Sequence, residues 1–198
     1  MTQSKRKFIL VVGGPGGSGS STIAKMLAKH FGVKRIYAGG LFRKEAKEKD
    51  FEYFEEFLQQ ISMGGNTLDL EIDKMLFEYA QKGNIVIESK VFAALAKNKN
   101  IKLTASIWLD ADIHTRVKRH LDRDNITGIK RIFKYFHIRY SLMKRYSIDK
   151  GKYKRLYKVK YEKPSLYYDI ILDTSELNEE ETFKLILNKL KDGGYIKE

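Results

Sequence analysis

The sequence predicts an α/β fold, a doubly wound sheet of five parallel strands with a phosphate-binding loop and a helical basic insertion. Three observations lead there. Apolar, β-branched runs alternate with helical patterns along most of the chain. The first run ends in a glycine-rich turn that opens a helix. A long, strongly basic segment then interrupts the alternation before the last strand.

The first strand is the run Phe8-Ile9-Leu10-Val11-Val12. Lys5-Arg6-Lys7 ahead of it superficially suggests a signal peptide. The apolar run is only about five residues long and ends in the glycine turn, so it reads as a strand. The turn itself is G-G-P-G-G-S-G-S-S-T at residues 13–22. Glycines let backbone N–H groups approach a polyphosphate, and the helix start adds unpaired N–H groups and a positive dipole end. The pattern G-x-x-x-x-G-K-S/T fits residues 14–21, except that Ser20 stands where the lysine belongs. Gly14, Gly16, Gly17, Ser18, Gly19, Ser20, Ser21 and Thr22 form the expected nucleotide-binding set. Ser21 is either a ligand of Mg²⁺ through its hydroxyl or a plain helix cap.

A helical pattern over 22–31 follows, with Ile23, Met26, Leu27 and Phe31 on one face. Strands are then predicted at 35–38, 84–88, 103–109 and 168–173. N-I-V-I-E and Y-D-I-I-L-D have the apolar, β-branched character of buried parallel strands. Helices are predicted at 40–49, 51–62, 68–81 and 113–123, and an amphipathic helix at 178–191 closes the chain. The two prolines, Pro15 and Pro164, mark no linker, and the chain reads as one domain over 1–198. Residues 126–161 read as a helical insertion between the fourth and fifth strands, placed to form a lid at the carboxyl ends of the strands.

Charge is concentrated in one region. Residues 116–163 hold 17 Lys or Arg against 4 Asp or Glu, a difference equal to the whole net charge of +13. Aromatics are interleaved with these cations, including Phe133, Phe136 and Tyr140. The segment reads as solvated helix faces, as an arginine-rich flap over phosphates, or as a nucleic-acid surface. The absence of cysteine excludes disulfides and thiolate metal sites and fits a cytoplasmic setting. His30, His114, His120 and His137 show no metal-ligand spacing and are expected at the surface. No stretch is long and apolar enough to span a membrane, and no membrane partner is expected.

Several motifs together resemble the archaeal-type cytidylate kinases, within the nucleoside monophosphate kinase family. G-P-G-G-S-G-S-S-T at 14–22 is similar to G-P-P-G-S-G-K/T-T-T. Y-A-G-G-L-F-R-K-E-A-K-E at 37–48 is similar to S-A-G-D/E-I-F-R-x-x-A-K-E, the most specific of the set. L-D-L-E-I-D at 68–73, I-W-L at 107–109, K-Y-K-R-L-Y at 152–157 and Y-D-I-I-L-D-T-S at 168–175 extend the likeness through most of the chain. The chain departs from the family at Gly40, at Ser89-Lys90 and at Lys152, each of which touches a charged phosphate or nucleoside contact there, and is longer ahead of Arg145; Gly39, Gly40, Arg43, Asp69, Asp73, Glu88 and Lys90 are the acceptor-binding set that the resemblance implies.

The resemblance implies ATP and Mg²⁺ as cofactors and a pyrimidine nucleoside monophosphate, CMP or dCMP, as acceptor. It implies that Arg43 clamps the acceptor phosphate after the Gly39-Gly40 turn. Asp69 and Asp73 would border the nucleoside, or else form a solvated acidic face. Glu88, ending a strand, would meet Mg²⁺ through water or pair with Lys90. Arg123, Arg145 and Lys152 match the family's lid cations. Two other readings stay open. One is a weak or inactive nucleotide-binding module whose basic region binds RNA or protein. The other is a small-molecule kinase with a different acceptor. A monomer is the expected state.

Overall fold

The computed structural model describes residues 7–197, so Lys5 and Arg6 lie outside the described residues. Five parallel strands form one sheet: β1 (Ile9–Gly13), β2 (Lys34–Tyr37), β3 (Ile85–Glu88), β4 (Ala105–Asp110) and β5 (Ile170–Asp173). Their order is β2-β3-β1-β4-β5. β1 is central, pairing Val12 with Glu88 on one side and with Ile107 on the other. Every residue of β1 and β3 is buried, as their unbroken apolar runs require.

Helices cover both faces. α1 (Ser20–His30) and α8 (Glu179–Asp192) pack one side, where Ile23, Leu27, Ile186 and Leu190 meet Leu10, Val12 and Ile107. α8 starts in a capping box, with Asn178 accepting from the Glu181 N–H and the Glu181 side chain accepting from the Asn178 N–H. On the other side, α4 (Thr67–Lys82) and α5 (Phe92–Asn98) close over Val11, Ile87 and Trp108. α2 (Ala38–Glu48) and α3 (Phe54–Met63) form a smaller cluster around Phe57 and Leu58. α5 is not among the helices read from the sequence. Its F-A-A-L-A stretch is buried all round, so it carries no amphipathic period.

α6 (Ile113–Arg123) follows β4, and the basic segment is a single helix of 29 residues, α7 (Ile129–Tyr157). Leu142 packs on Val117 and Leu121 of α6, and Ile148 reaches the α2/α3 cluster. Near its end, Tyr153 enters the main core with Val159 and Tyr161. α7 thus spans the carboxyl edge of the sheet from α6 to α4.

Candidate active site

The loop between β1 and α1 turns on Gly17 and Gly19, at φ 87° and 90°. Only glycine takes this left-handed conformation without strain. A Cβ on Gly17 would also lie 3.0 Å from the Arg116 carbonyl oxygen. α1 begins with no side-chain cap and no acidic residue in its first turn. Its first N–H groups and the positive end of its dipole therefore face the loop uncompensated, which is an anion site.

Three arginines surround this loop. Arg116, buried, donates from Nε to the Gly16 carbonyl at 2.7 Å. Arg119 donates to the Gly17 carbonyl at 3.2 Å and to Thr174 Oγ1 at 3.0 Å, and its other nitrogen reaches the carbonyls of Thr174 and Leu177. Thr174 Oγ1 is in turn within reach of the Ser18 carbonyl at 3.1 Å. Arg145 comes from α7. Its Nη1 would lie 3.6 Å from a Cβ on Gly16, and its guanidinium sits 5.2 Å from the centre of the Phe54 ring. Its nearest carboxylate is Glu55, at 3.8 Å, and its buried Nε makes no hydrogen bond. Arg123 is exposed beside Asp124 and His120.

His120 is half-buried and lines the cavity, so it is not the surface residue the sequence suggested. Burial, reinforced by Arg123 and Arg145, pushes its pKa down to about 4, and it is neutral at physiological pH.

Ser21 donates from Oγ to Glu88 Oε1, and Arg35 donates to Glu88 Oε2 from two nitrogens, Nε at 2.9 Å. Glu88 is buried at the end of β3. Of the two readings of Glu88, the pair with Lys90 does not form. Lys90 turns to Asp149 of α7, and Arg35 of β2 takes its place at Glu88. Burial lowers the Lys90 pKa, opposed by the Asp149 charge. The adjoining oxygens of Ser21 and Glu88 are a hard-donor set of the kind Mg²⁺ takes alongside phosphate and water, so these residues fit that ion.

Across the cavity lies α2. Arg43 bonds the Tyr37 hydroxyl and the Gly39 carbonyl, the latter at 3.4 Å, and lies between the rings of Tyr37 and Phe54. Gly40 does not line the cavity, contrary to expectation. A Cβ there would lie 2.7 Å from the Tyr37 ring, so this glycine makes room for the tyrosine. A Cβ on Gly39 would meet the same ring at 2.8 Å.

Asp69 and Asp73 stand one turn apart on α4 and point inward, not to solvent. Asp69 accepts from Lys152 Nζ at 2.7 Å in a buried pair. Burial raises the Asp69 pKa and Lys152 opposes the rise. Asp73 accepts from the Tyr157 hydroxyl at 2.5 Å, and burial still lifts its pKa to about 6. Lys152 is thus committed to a carboxylate, while Arg43 bonds neutral oxygens and Arg145 has a carboxylate only at salt-bridge distance.

One cavity of about 830 Å³ joins these groups, and every expected site residue except Gly40 lines it. Arg35, Asp149, Tyr157 and Thr174 complete the hydrogen-bonding around it and were not assigned roles from sequence. Asp149 carried a signal: it is the sole acid in a helix of ten Lys and Arg.

A family model described as an AAA domain matches residues 12–130. A cytidylate kinase of Pyrococcus horikoshii is 33% identical over 98% of this chain and 97% of its own. A cytidylate kinase of Methanopyrus kandleri is 33% identical over 90% of each chain. A cytidylate kinase of Methanocaldococcus jannaschii is 31% identical over 90% of this chain and 95% of its own. Among solved structures, shikimate kinase from Bacteroides thetaiotaomicron superposes with a TM-score of 0.53 at 16% identity, covering 96% of this chain and 99% of that one. That likeness shows the fold alone. With the loop, the sheet and these relatives agreeing, the chain belongs to the cytidylate kinase family of P-loop phosphotransferases.

Proposed function

We propose that this chain transfers the γ-phosphoryl group of ATP to a pyrimidine nucleoside monophosphate, CMP or dCMP. The observation that carries the reading is the single cavity with an anion-binding loop on one wall and Arg43 on the other. The curated relatives named cytidylate kinase supply the acceptor class.

The loop backbone from Gly16 to Ser21 cradles the donor's β-phosphate. Ser21 and Glu88 would hold Mg²⁺, which would supply charge neutralisation on the donor phosphates. Arg35 fixes Glu88 by its two-nitrogen fork. Arg43 binds the acceptor's phosphate, and Asp69 and Asp73 border its nucleoside. An oxygen of the acceptor phosphate forms the new bond to the γ-phosphorus, the bond to the β-phosphate oxygen breaks, and ADP leaves. That oxygen is already ionised, so no general base is needed. Arg145 and Arg123 neutralise charge on the transferring group. Residues 126–161 act as a lid that excludes water, tied to the core through Lys90–Asp149 and Lys152–Asp69.

The test is release of ADP from ATP with CMP, dCMP, UMP and AMP in turn. The highest kcat/KM with CMP or dCMP is expected. A preference for AMP, or for an acceptor that is not a nucleotide, would move the chain to another kinase activity. ATP binding with no acceptor-dependent release would favour the inactive binding module, for which Ser20 is the supporting residue.

A further inference from the structure

Six large apolar side chains stand out from one face of α7. Ile129, Ile132, Phe133, Phe136, Tyr140 and Met143 are each between 55% and 73% exposed. At 100° per residue they fall in a stripe about 100° wide and about 20 Å long. It lies opposite the face that buries Leu142, Asp149 and Lys152, and so turns away from the cavity. An apolar patch of this extent marks an interaction surface.

The charge that α7 itself sets beside the stripe is of one sign. By the same helical geometry, Arg139 and Lys150 border one side, Lys150 standing 3.9 Å from Glu162, and Lys130 and Lys144 the other. Lys154 continues the face beyond Met143. Asp149, the one acid of α7, is buried against Lys90. The acids of neighbouring α6, Asp122 and Asp124, are paired with Arg131 and Arg123.

We propose that this face of α7 docks the protein on the surface of an anionic lipid bilayer. The apolar stripe enters the boundary between headgroups and acyl chains, and the flanking cations lie at the level of the anionic headgroups. Among the described residues no helix is long and apolar enough to cross a membrane, so the contact lies in the interface plane. It revises the expectation of no membrane partner and does not depend on the acceptor's identity.

Other occupants fit less well. Two copies of α7 packed together would bring these cations face to face with no acids between them. Single-stranded nucleic acid would use the aromatics and the cations. It would give Ile129, Ile132 and Met143 nothing to pack on, whereas a bilayer takes aliphatic and aromatic side chains alike.

The experiment is co-sedimentation of the full chain with phosphatidylglycerol–phosphatidylcholine vesicles and with pure phosphatidylcholine vesicles. Binding to the anionic vesicles, weakening with salt, is expected, with half-binding on pure phosphatidylcholine requiring at least about tenfold more lipid. F133E/F136E should raise the lipid needed for half-binding on anionic vesicles by at least about tenfold. Its melting temperature should match wild type, and I132S/F136S serves in its place if it does not fold. Failure of the wild type to bind anionic vesicles would overturn the proposal. So would equal binding by the folded variant, which would leave only the cations at work. Dimerisation or single-stranded RNA binding that depends on the stripe, without vesicle binding, would assign the face to that other partner.

Discussion

Lys152 Nζ donates to Asp69 Oδ1 at 2.7 Å, and neither side chain is more than 3% exposed. This pair fastens the end of α7 to α4, and the other Asp69 oxygen has no partner. Removing one member strands the other in a dry site. Lys152→Ala or Asp69→Ala alone should cost about 3–5 kcal/mol in urea unfolding. The double change Asp69→Leu with Lys152→Met should recover most of that loss, because no charge is left buried. A Lys152→Met variant that kept its stability but lost kcat would return this ammonium to the phosphates.

Arg43 is held differently, by the Tyr37 hydroxyl, the Gly39 carbonyl and two aromatic faces. Among the described residues no carboxylate forms an ion pair with it. Arg43→Ala should remove a charge-assisted pair worth about 1.5–3 kcal/mol. Steady-state kinetics should show kcat/KM for the monophosphate falling by at least about tenfold, with a smaller effect on ATP. Wild-type kinetics would take Arg43 out of the acceptor site.

Asp73 makes stability depend on pH. Its carboxyl moves from an ordinary 3.8 to about 6, because burial outweighs the Tyr157 hydrogen bond. The native state therefore holds this proton more tightly than the unfolded chain does. The contribution to stability is fully present below about pH 4 and is lost as pH rises toward 6. Asp73→Asn should flatten the stability profile across that window and raise stability at pH 7 by about 1–3 kcal/mol. Urea unfolding at a series of pH values reads this directly. An unchanged slope between pH 4 and 6 would place the titration on another group.

The sheet was legible because short apolar runs alternate with helical patterns, β2 with K-R-I-Y being the least apolar of them, and the loop because its glycines sit between a strand and a helix. Which carboxylate meets which cation was not legible. Glu88 finds Arg35 from a neighbouring strand, and Lys90 finds Asp149, 59 residues away. Such pairs depend on strand order and on how α7 crosses the sheet edge, and neither is written in local pattern. Gly40 was misread for a related reason. Its departure from the family motif looked like a change in ligand contact, while the space it leaves is taken by Tyr37. α7 was expected to be basic and helical. What its sequence did not reveal was that Ile129 to Met143 would face outward, because the same helix also has apolar residues on its inner side.

Ser20 is the first residue of α1 and occupies the position of the missing lysine. Lys25 cannot replace that charge, since it is exposed on the face opposite buried Ile23 and Leu27. Two arginines can. Arg145 Nη1 would lie 3.6 Å from a Cβ on Gly16, and Arg119 Nη1 would lie 4.0 Å from one on Gly19, so cations flank the loop on both sides. Arg119 is held by the carbonyls of Gly17, Thr174 and Leu177, whereas the Arg145 Nε makes no hydrogen bond. In the mechanism we propose, Arg145 is therefore the one that would deliver charge to the donor phosphates. Ser20→Lys alone should change kcat by no more than about threefold, because the charge it adds is already supplied. Arg145→Ala alone should lower kcat by about 100-fold or more, as loss of a cation at a transferring phosphoryl group does. Ser20→Lys placed in the Arg145→Ala background should then recover much of the loss. A large rise in kcat from Ser20→Lys in the otherwise unchanged chain would show that Arg145 does not fill the lysine's role.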